Sequence, residues 1–491
     1  MSVAIIGGGP AGIVSAKSAL ECGLEPTVFE KGDGVGGLWK PKSGSVWDRM
    51  KTNISHHTCL FSDFPWNQST SDFPTQSEVN AYLESYAEHF KLKPHLQMNT
   101  SIRSVEKSNE KWLVMWIHDG QSHSKTFDYV LVCSGIFSKA YIPQIPGSEN
   151  FGGPILHAKD YKTPEAFRER RVAVVGNAFS GCEITAELAP SAKSVTNIFH
   201  RAMWILPRYL PSAKKPEQKL PLDLIFYSRA ANARSQGVPA EELNARKSNW
   251  FRGLTKQGEK CPELAVETAP SSSQFVVISD AYTEQVEAGK IALKKGSIER
   301  MEQGKLIFKD GSALDADAVI FCTGYQTEIP FFSKDILSSL DFDPADQLQP
   351  LLLHKTVFHP NLPGIAFIGM YRGPFFGILE LQSRWACMAL SKKITAPSKQ
   401  EMENGIQVER QIREARPRPQ FPHGDYVNFA DDLARQIGAL PDWKKFESEN
   451  PSLHNKLWEG PLTAASYRLT GFGSNPDVAL PLIDRINQAA S

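Results

Sequence analysis

The sequence predicts an α/β fold with two Rossmann-like dinucleotide-binding domains, the second inserted into the first. Three observations predict it. A strand, a glycine turn, a helix and a second strand open the chain between Val3 and Glu30. The same order returns from Arg170. Two apolar runs with a shared ending, Cys133-Ser134-Gly135 and Cys322-Thr323-Gly324, read as strands that return to each sheet.

Taken in order, Val3 to Ile6 is a buried strand and Gly7-Gly8-Gly9-Pro10-Ala11-Gly12 is the turn. Ile13 to Glu21 has helical spacing, Gly23 ends it as a left-handed cap, and Pro26 to Glu30 is the next strand. The unit has about the expected βαβ length of ~30 residues. In the second unit Val172 to Val175 is a strand and Gly176 to Gly181 the turn. A helix begins at Cys182, and Val195 to Phe199 is the closing strand. Hairpin-like meanders precede both returning strands; Asp310-Gly311 signals one of their turns. The stretch from about 202 to 272 is rich in Ala, Lys, Glu and Pro and reads as a mainly helical insertion. The expected division is 1–165 and 329–491 for the first domain and 166–328 for the second.

Composition narrows the function. The 491 residues suit roughly two to four domains at ~150 residues each. Lys plus Arg and Asp plus Glu both count 54, so no general nucleic-acid or anionic-membrane surface is expected. Basic runs such as Lys214-Lys215 and Lys444-Lys445 read as solvated faces. Seven scattered cysteines without a CxxC pair argue for reduced thiols. They also argue against dithiol redox chemistry. The strand at Val3 leaves no room for a signal peptide, and no apolar run approaches the ~20 residues that span a bilayer. A soluble, cytoplasmic protein without a membrane anchor is expected.

In the first turn, Gly7 permits the tight bend, Gly9 lets the backbone approach a pyrophosphate, and Gly12 allows close helix–strand packing. Pro10 and Ala11 start a helix whose N–H groups favour phosphate charge. Glu30 ends the second strand, where a carboxylate accepts ribose hydroxyls. Gly36-Gly37-Leu38-Trp39 follows at once, a loop able to pass close to a ligand with Trp39 over it. A second contact so soon after the ribose residue favours FAD over NAD. In the second turn Ala178 replaces the middle glycine, while Asn177 and Ser180 offer side-chain hydrogen bonds ahead of Gly181. The following strand ends in His200-Arg201 rather than Asp or Glu. Arg201 therefore points to the 2′-phosphate of NADPH, with Arg208 as the substitute candidate.

These parts together resemble the flavin-containing monooxygenases, class B flavoproteins that use FAD and NADPH. The resemblance runs through Phe151-x-Gly153-x-x-x-His157-x-x-x-Tyr161, Cys322-Thr323-Gly324-Tyr325 and Thr52-Asn53. Phe61-Ser62-Asp63-Phe64-Pro65 and Glu380-Leu381-Gln382-Ser383-Arg384-Trp385 complete it. It covers nearly the whole chain and is weakest at Ala178 and across 202–272. It implies a small-molecule substrate and O2, with one oxygen atom passed through a C4a-hydroperoxyflavin to a soft nitrogen or sulfur. N,N-Dimethylaniline oxygenation is of this type. Thr52 and Asn53 fall in the implied active-site segment, Thr323, Gly324 and Gln382 near the cofactors. A neutral amide such as Asn53 can donate to a peroxide oxygen without acting as a base. His56, His57 and His157 are expected to be structural, and no metal site is expected. Related chemistries stay open: Baeyer–Villiger oxygenation of a ketone and oxidative decarboxylation of a 2-oxo acid. A redox-sensing flavoprotein without turnover is the non-enzymatic alternative. Oligomeric state stays open, a homodimer included.

Overall fold

The computed structural model describes all residues except Ser43, Ala213, Lys214, Pro270, Ser271, Ser273, Pro374 and Phe375. One half of the expected solvated pair Lys214-Lys215 thus lies outside the described residues. Two five-stranded parallel sheets organise the chain. In the first, Ser2–Ile6 is central, flanked by Glu25–Phe29 and Tyr129–Val132, with Leu96–Gln97 and Ile365–Phe367 at the edges. In the second, Arg171–Val175 is central, flanked by Ser194–Phe199 and Ala318–Phe321, with Ile291–Lys295 and Ile155–His157 outside. The two orders match over four strands and differ in the fifth: the strand beside the returning one comes last in the first sheet, from Ile365–Phe367, and first in the second, from Ile155–His157. Strands buried on both faces need continuous apolar runs, and Val3 to Ile5, Val130 to Val132 and Ala318 to Val319 are fully buried.

The first sheet draws its outer strand from Ile365–Phe367, after the whole second sheet has been completed. The second domain is therefore inserted into the first. Its sheet begins earlier than the expected boundary at residue 166, because Ile155–His157 already pairs with Ala318–Phe321. A strand of three residues carries too little periodicity to be read from the sequence. Each domain also carries an antiparallel meander: Thr100–Ser108, Lys111–His118 and Gln121–Phe127 in one, Ile298–Glu302, Lys305–Phe308 and Ala313–Asp315 in the other. At the expected Asp310-Gly311 turn, Gly311 adopts φ +81°.

The insertion differs in part from the expectation. Helices Leu222–Phe226, Arg229–Ser235, Ala240–Thr255 and Gln257–Lys260 occupy it, but three short strands precede them. Trp204–Leu206 is wholly buried and pairs with Val276–Ile278, a partner too far along the chain to leave a local signal.

The C-terminal part returns to the first domain. Helix Phe376–Leu390 is buried along its whole length. It packs along Pro10–Glu21, where the Ser15 and Ser383 hydroxyls meet at 2.9 Å. All seven cysteines are buried and unpaired. Among the described residues no helix is long and apolar enough to cross a membrane.

Candidate functional site

Both glycine turns open into one cavity of about 2320 Å³ that runs between the carboxyl ends of the two sheets. Single-ligand sites measure about 300–1,000 Å³, so this space exceeds the needs of one small molecule. Ligands of doubly wound folds bind at this end of the strands.

The turn residues explain why the cavity exists. A Cβ on Gly12 would lie 1.8 Å from the Gly7 carbonyl oxygen, and one on Gly181 2.0 Å from that of Gly176. Both glycines seat a helix against its strand and neither lines the cavity. Gly9 and Gly37 face each other so closely that a Cβ on Gly37 would come within 3.0 Å of the Gly9 Cα. The loop carrying Leu38 and Trp39 therefore closes over the first turn. Gln76 donates to the Trp39 carbonyl and holds that loop from helix Gln76–His89.

Helix Pro10–Glu21 and helix Phe179–Leu188 start at the cavity, and neither has a side-chain cap. Several other helices carry a side-chain cap, as Thr75, Ser333 and Ser398 provide, although Tyr282–Glu287 and Pro476–Ala489 do not. The open N–H groups and the positive dipole end of both cavity helices suit a phosphate. Glu30 lies at the cavity with its carboxylate held by Gly8 N–H at 2.6 Å and Gly32 N–H at 2.7 Å. Three buried hydroxyls on residues that line the cavity, Thr52 Oγ1, Ser134 Oγ and Tyr371 Oη, have no partner among the described residues. Orphan polar atoms of this kind call for a polar ligand. On these observations the site fits two dinucleotides.

Asn53 lines the cavity, half-buried, and its amide has no hydrogen-bond partner among the described residues. The segment around it is held from three directions. Thr52 N–H donates to the Pro74 carbonyl at 2.9 Å. Arg208 Nε donates to the Thr52 carbonyl at 3.2 Å. Asp223, fully buried on the insertion, accepts from Ser55 N–H at 3.0 Å, Ser55 Oγ at 2.7 Å and Thr58 Oγ1 at 2.6 Å. Burial pushes the Asp223 carboxyl up, and those three donors pull it back. Neither arginine nor aspartate left a local trace in the sequence that tied it to Asn53.

On the second sheet Asn177, Ser180, Arg201, Thr323 and Gly324 all line the cavity. The Asn177 amide donates to the Arg201 carbonyl at 2.9 Å and fixes the strand end. The Arg201 guanidinium lies 4.0 Å over the Phe275 ring, pairs with no carboxylate among the described residues, and is lowered in pKa by burial. Arg208 is not a substitute for it. Its guanidinium is buried between Glu183 at 2.7 Å and Asp280 at 3.0 Å and lies off the cavity. Thr323 donates to the Tyr141 carbonyl, and His157 Nε2 donates to the Gly324 carbonyl at 2.9 Å.

Two further expectations are corrected. Gln382 is neither on a surface nor on the cavity: it is fully buried, and its Oε1 accepts from Gly369 N–H at 3.0 Å. It shapes the Gly369 loop, which does line the cavity. Phe61 to Pro65 lies behind the cavity wall. Ser62 and Asp63 belong to a buried ionic cluster with Glu380, Arg468 and Lys17, in which Arg468 reaches Glu380 at 2.7 Å and Asp63 at 2.9 Å. Burial alone would raise the Glu380 carboxyl, but Arg468, Arg384 and Lys17 bring it to about 2. A periodicity argument sees Glu380 as one polar residue on an apolar helix and misses the cluster. The structure also gathers His56, His57 and Asp72 with their ligand atoms within 4.8 Å of one another. His57 is held neutral, its pKa lowered to about 4 by burial and by His56.

Two nucleotide-type turns on two parallel sheets, facing one cavity, define a two-dinucleotide α/β protein. The chain matches the Flavin-binding monooxygenase-like family over residues 1–485 and belongs to it. Flavin-containing monooxygenase 5 of Cavia porcellus is 32% identical, across 96% of this chain and 89% of that one. The N-oxide-forming dimethylaniline monooxygenase 2 of Rattus norvegicus is 29% identical over the same shares. Among solved structures, S-allyl-L-cysteine S-oxygenase from Allium sativum superposes with a TM-score of 0.65 at 22% identity, covering 99% of this chain and 98% of its own. Closed cyclohexanone monooxygenase does so with 0.67 at 17%, covering 88% and 96%. The protein is a flavin monooxygenase.

Proposed function

We propose that the protein uses FAD and NADPH to transfer one oxygen atom of O2 to a soft nitrogen or sulfur atom of a small molecule. The observation that carries this reading is the unengaged amide of Asn53 in a cavity served by two uncapped helix N-termini. When bound, the flavin reduced by NADPH supplies the activated oxygen. The protein's own residues do the rest. Gly9 and Ala11 would present backbone N–H groups to the FAD pyrophosphate, Gly7 and Pro10 would shape the turn that aims them, and Glu30 would orient its ribose. Gly37, Leu38 and Trp39 cover it, and Thr52 brings a free hydroxyl. Asn177, Ser180 and Arg201 seat NADPH, with Thr323 and Gly324 at the mouth of the second sheet. Asn53 can donate and accept but cannot take a proton at neutral pH, so it would hydrogen-bond to activated oxygen without acting as a base that promotes release of H2O2. Leu222, Phe226, Trp250 and Phe251 bring apolar walls from the insertion.

The test is stopped-flow spectroscopy of the NADPH-reduced protein mixed with O2, followed by product analysis with a thioether, a tertiary amine and a ketone. A long-lived oxygenated flavin spectrum and a sulfoxide or N-oxide are expected. Ester as the main product would replace this reading with the Baeyer–Villiger one. Asn53→Asp should retain the flavin yet raise the H2O2 released per NADPH several-fold. Unchanged coupling would remove Asn53 from its assigned role.

A further inference from the structure

Four arginines line the cavity, and they differ in what they touch. Arg418 pairs with Asp346 at 2.6 Å, and Arg416 donates to the carbonyls of Arg413, Glu414 and Ala415. Arg201 and Arg372 have neither kind of partner among the described residues. Arg201 already serves the NADPH phosphate in the reading above. Arg372 has no assigned task.

Its setting is unusual for this chain. Buried guanidiniums are elsewhere matched: Arg208 with Glu183, Arg229 with Asp431 at 2.7 Å, Arg468 with Glu380, and Arg384 with the carbonyls of Tyr467 and Phe472. Arg372 Nε is buried without an acceptor. Burial lowers its pKa to about 10; Asp346 opposes that fall, but Asp346 is itself held by Arg418. The contact the guanidinium makes is with the Phe137 ring, at 5.3 Å. Phe137 follows the strand Tyr129–Val132 and packs against Tyr325 at 5.5 Å, just beyond the strand Ala318–Phe321. The cation thus stands in the cleft between the carboxyl ends of the two sheets. A half-buried cation whose Nε is shut off from water and unpaired is costly to maintain, and an oxyanion entering the cleft recovers that cost.

We propose that Arg372 anchors a carboxylate of the substrate, so that this protein oxygenates soft nucleophiles that carry an anionic group. The inference rests on the monooxygenase reading and specifies its substrate class. The dinucleotide phosphates have other seats, at the two helix N-termini and at Arg201, and leave Arg372 to a third ligand. A planar guanidinium suits a carboxylate through paired N–H donors.

Equilibrium binding to the oxidised, FAD-loaded protein tests this without turnover. The probes are 3-(methylthio)propanoate and the neutral 3-(methylthio)propan-1-ol, read by calorimetry and by the flavin absorbance. The carboxylate should bind about ten- to a hundredfold more tightly. Arg372→Gln should bring that ratio close to one, and Arg372→Lys, which keeps the charge, should retain part of it. NADP+ affinity should be the same in all three proteins. Equal binding of the two probes by the unsubstituted protein overturns the proposal. So does an Arg372→Gln protein that keeps the ratio but loses NADP+ affinity, which would give the cation to a nucleotide phosphate. Sulfoxide formation from the alcohol without carboxylate preference would spare the monooxygenase reading and remove only this one. Carboxylate preference without oxygenation of either probe would keep Arg372 as a carboxylate anchor but overturn the assignment of that carboxylate to an oxygenated thioether.

Discussion

Arg201 and Arg208 carry the same charge and lie close in sequence, yet their surroundings give them different tasks. Arg208 is spent on Glu183, Asp280 and the Thr52 carbonyl, and so acts as a brace for the Asn53 segment. Arg201 faces the cavity over Phe275 with its charge unmatched. A charged hydrogen bond to a phosphate contributes about 1.5–3 kcal/mol, which is about ten- to a hundredfold in affinity. Arg201→Ala should raise the KM for NADPH by that factor and change the KM for NADH little. Equal losses for both nucleotides in steady-state kinetics would take the 2′-phosphate away from Arg201.

At the scale of elements, the helix Phe376–Leu390 and the segment Phe61 to Pro65 work as one piece. Phe61 stacks on Phe376 with ring centroids 4.9 Å apart. Glu380 accepts from Ser62 N–H at 2.7 Å through one oxygen while Arg468 donates to the other at 2.7 Å and to Ser62 Oγ at 2.7 Å. Both charges of the Glu380–Arg468 pair are about 2% exposed, so water cannot compensate either when the other is removed. Breaking a buried pair from one side costs about 3–5 kcal/mol. Glu380→Ala should lower stability by that amount in urea unfolding of the flavin-loaded protein. A loss below about 1 kcal/mol would mean that the cluster is better hydrated than its burial implies.

For the whole molecule, the insertion is the part that joins the two domains at the site. Asp223 is its anchor. Its removal leaves Ser55 N–H, Ser55 Oγ and Thr58 Oγ1 without an acceptor, and each buried orphan costs about 1–3 kcal/mol. Asp223→Ala should speed amide exchange across Ser55 to Thr58 and across Leu222 to Phe226, while both parallel sheets stay protected. Exchange unchanged at those two segments would show that apolar packing, not the carboxylate, holds the insertion in place.

Both nucleotide units were legible by themselves because their signal is local: a buried strand, glycines at fixed spacing and a helix follow one another within a short stretch. Glu30 and Arg201 could be placed at the cavity for the same reason, each lying just past the end of a recognisable strand. Gln382 and Phe61 to Pro65 could be named but not placed. Their partners, Gly369 in one case and Glu380 and Arg468 in the other, come from other parts of the chain. Asp223 and Arg372 had no local pattern at all. What distinguishes them is the presence or absence of a matching charge or hydrogen-bond partner across space. The linear order of residues thus decided that there are two dinucleotide-type folds and where each begins its turn. Only the packed chain decided which polar groups meet a partner and which stay free to meet a ligand, because burial and pairing are properties of neighbours brought together by folding.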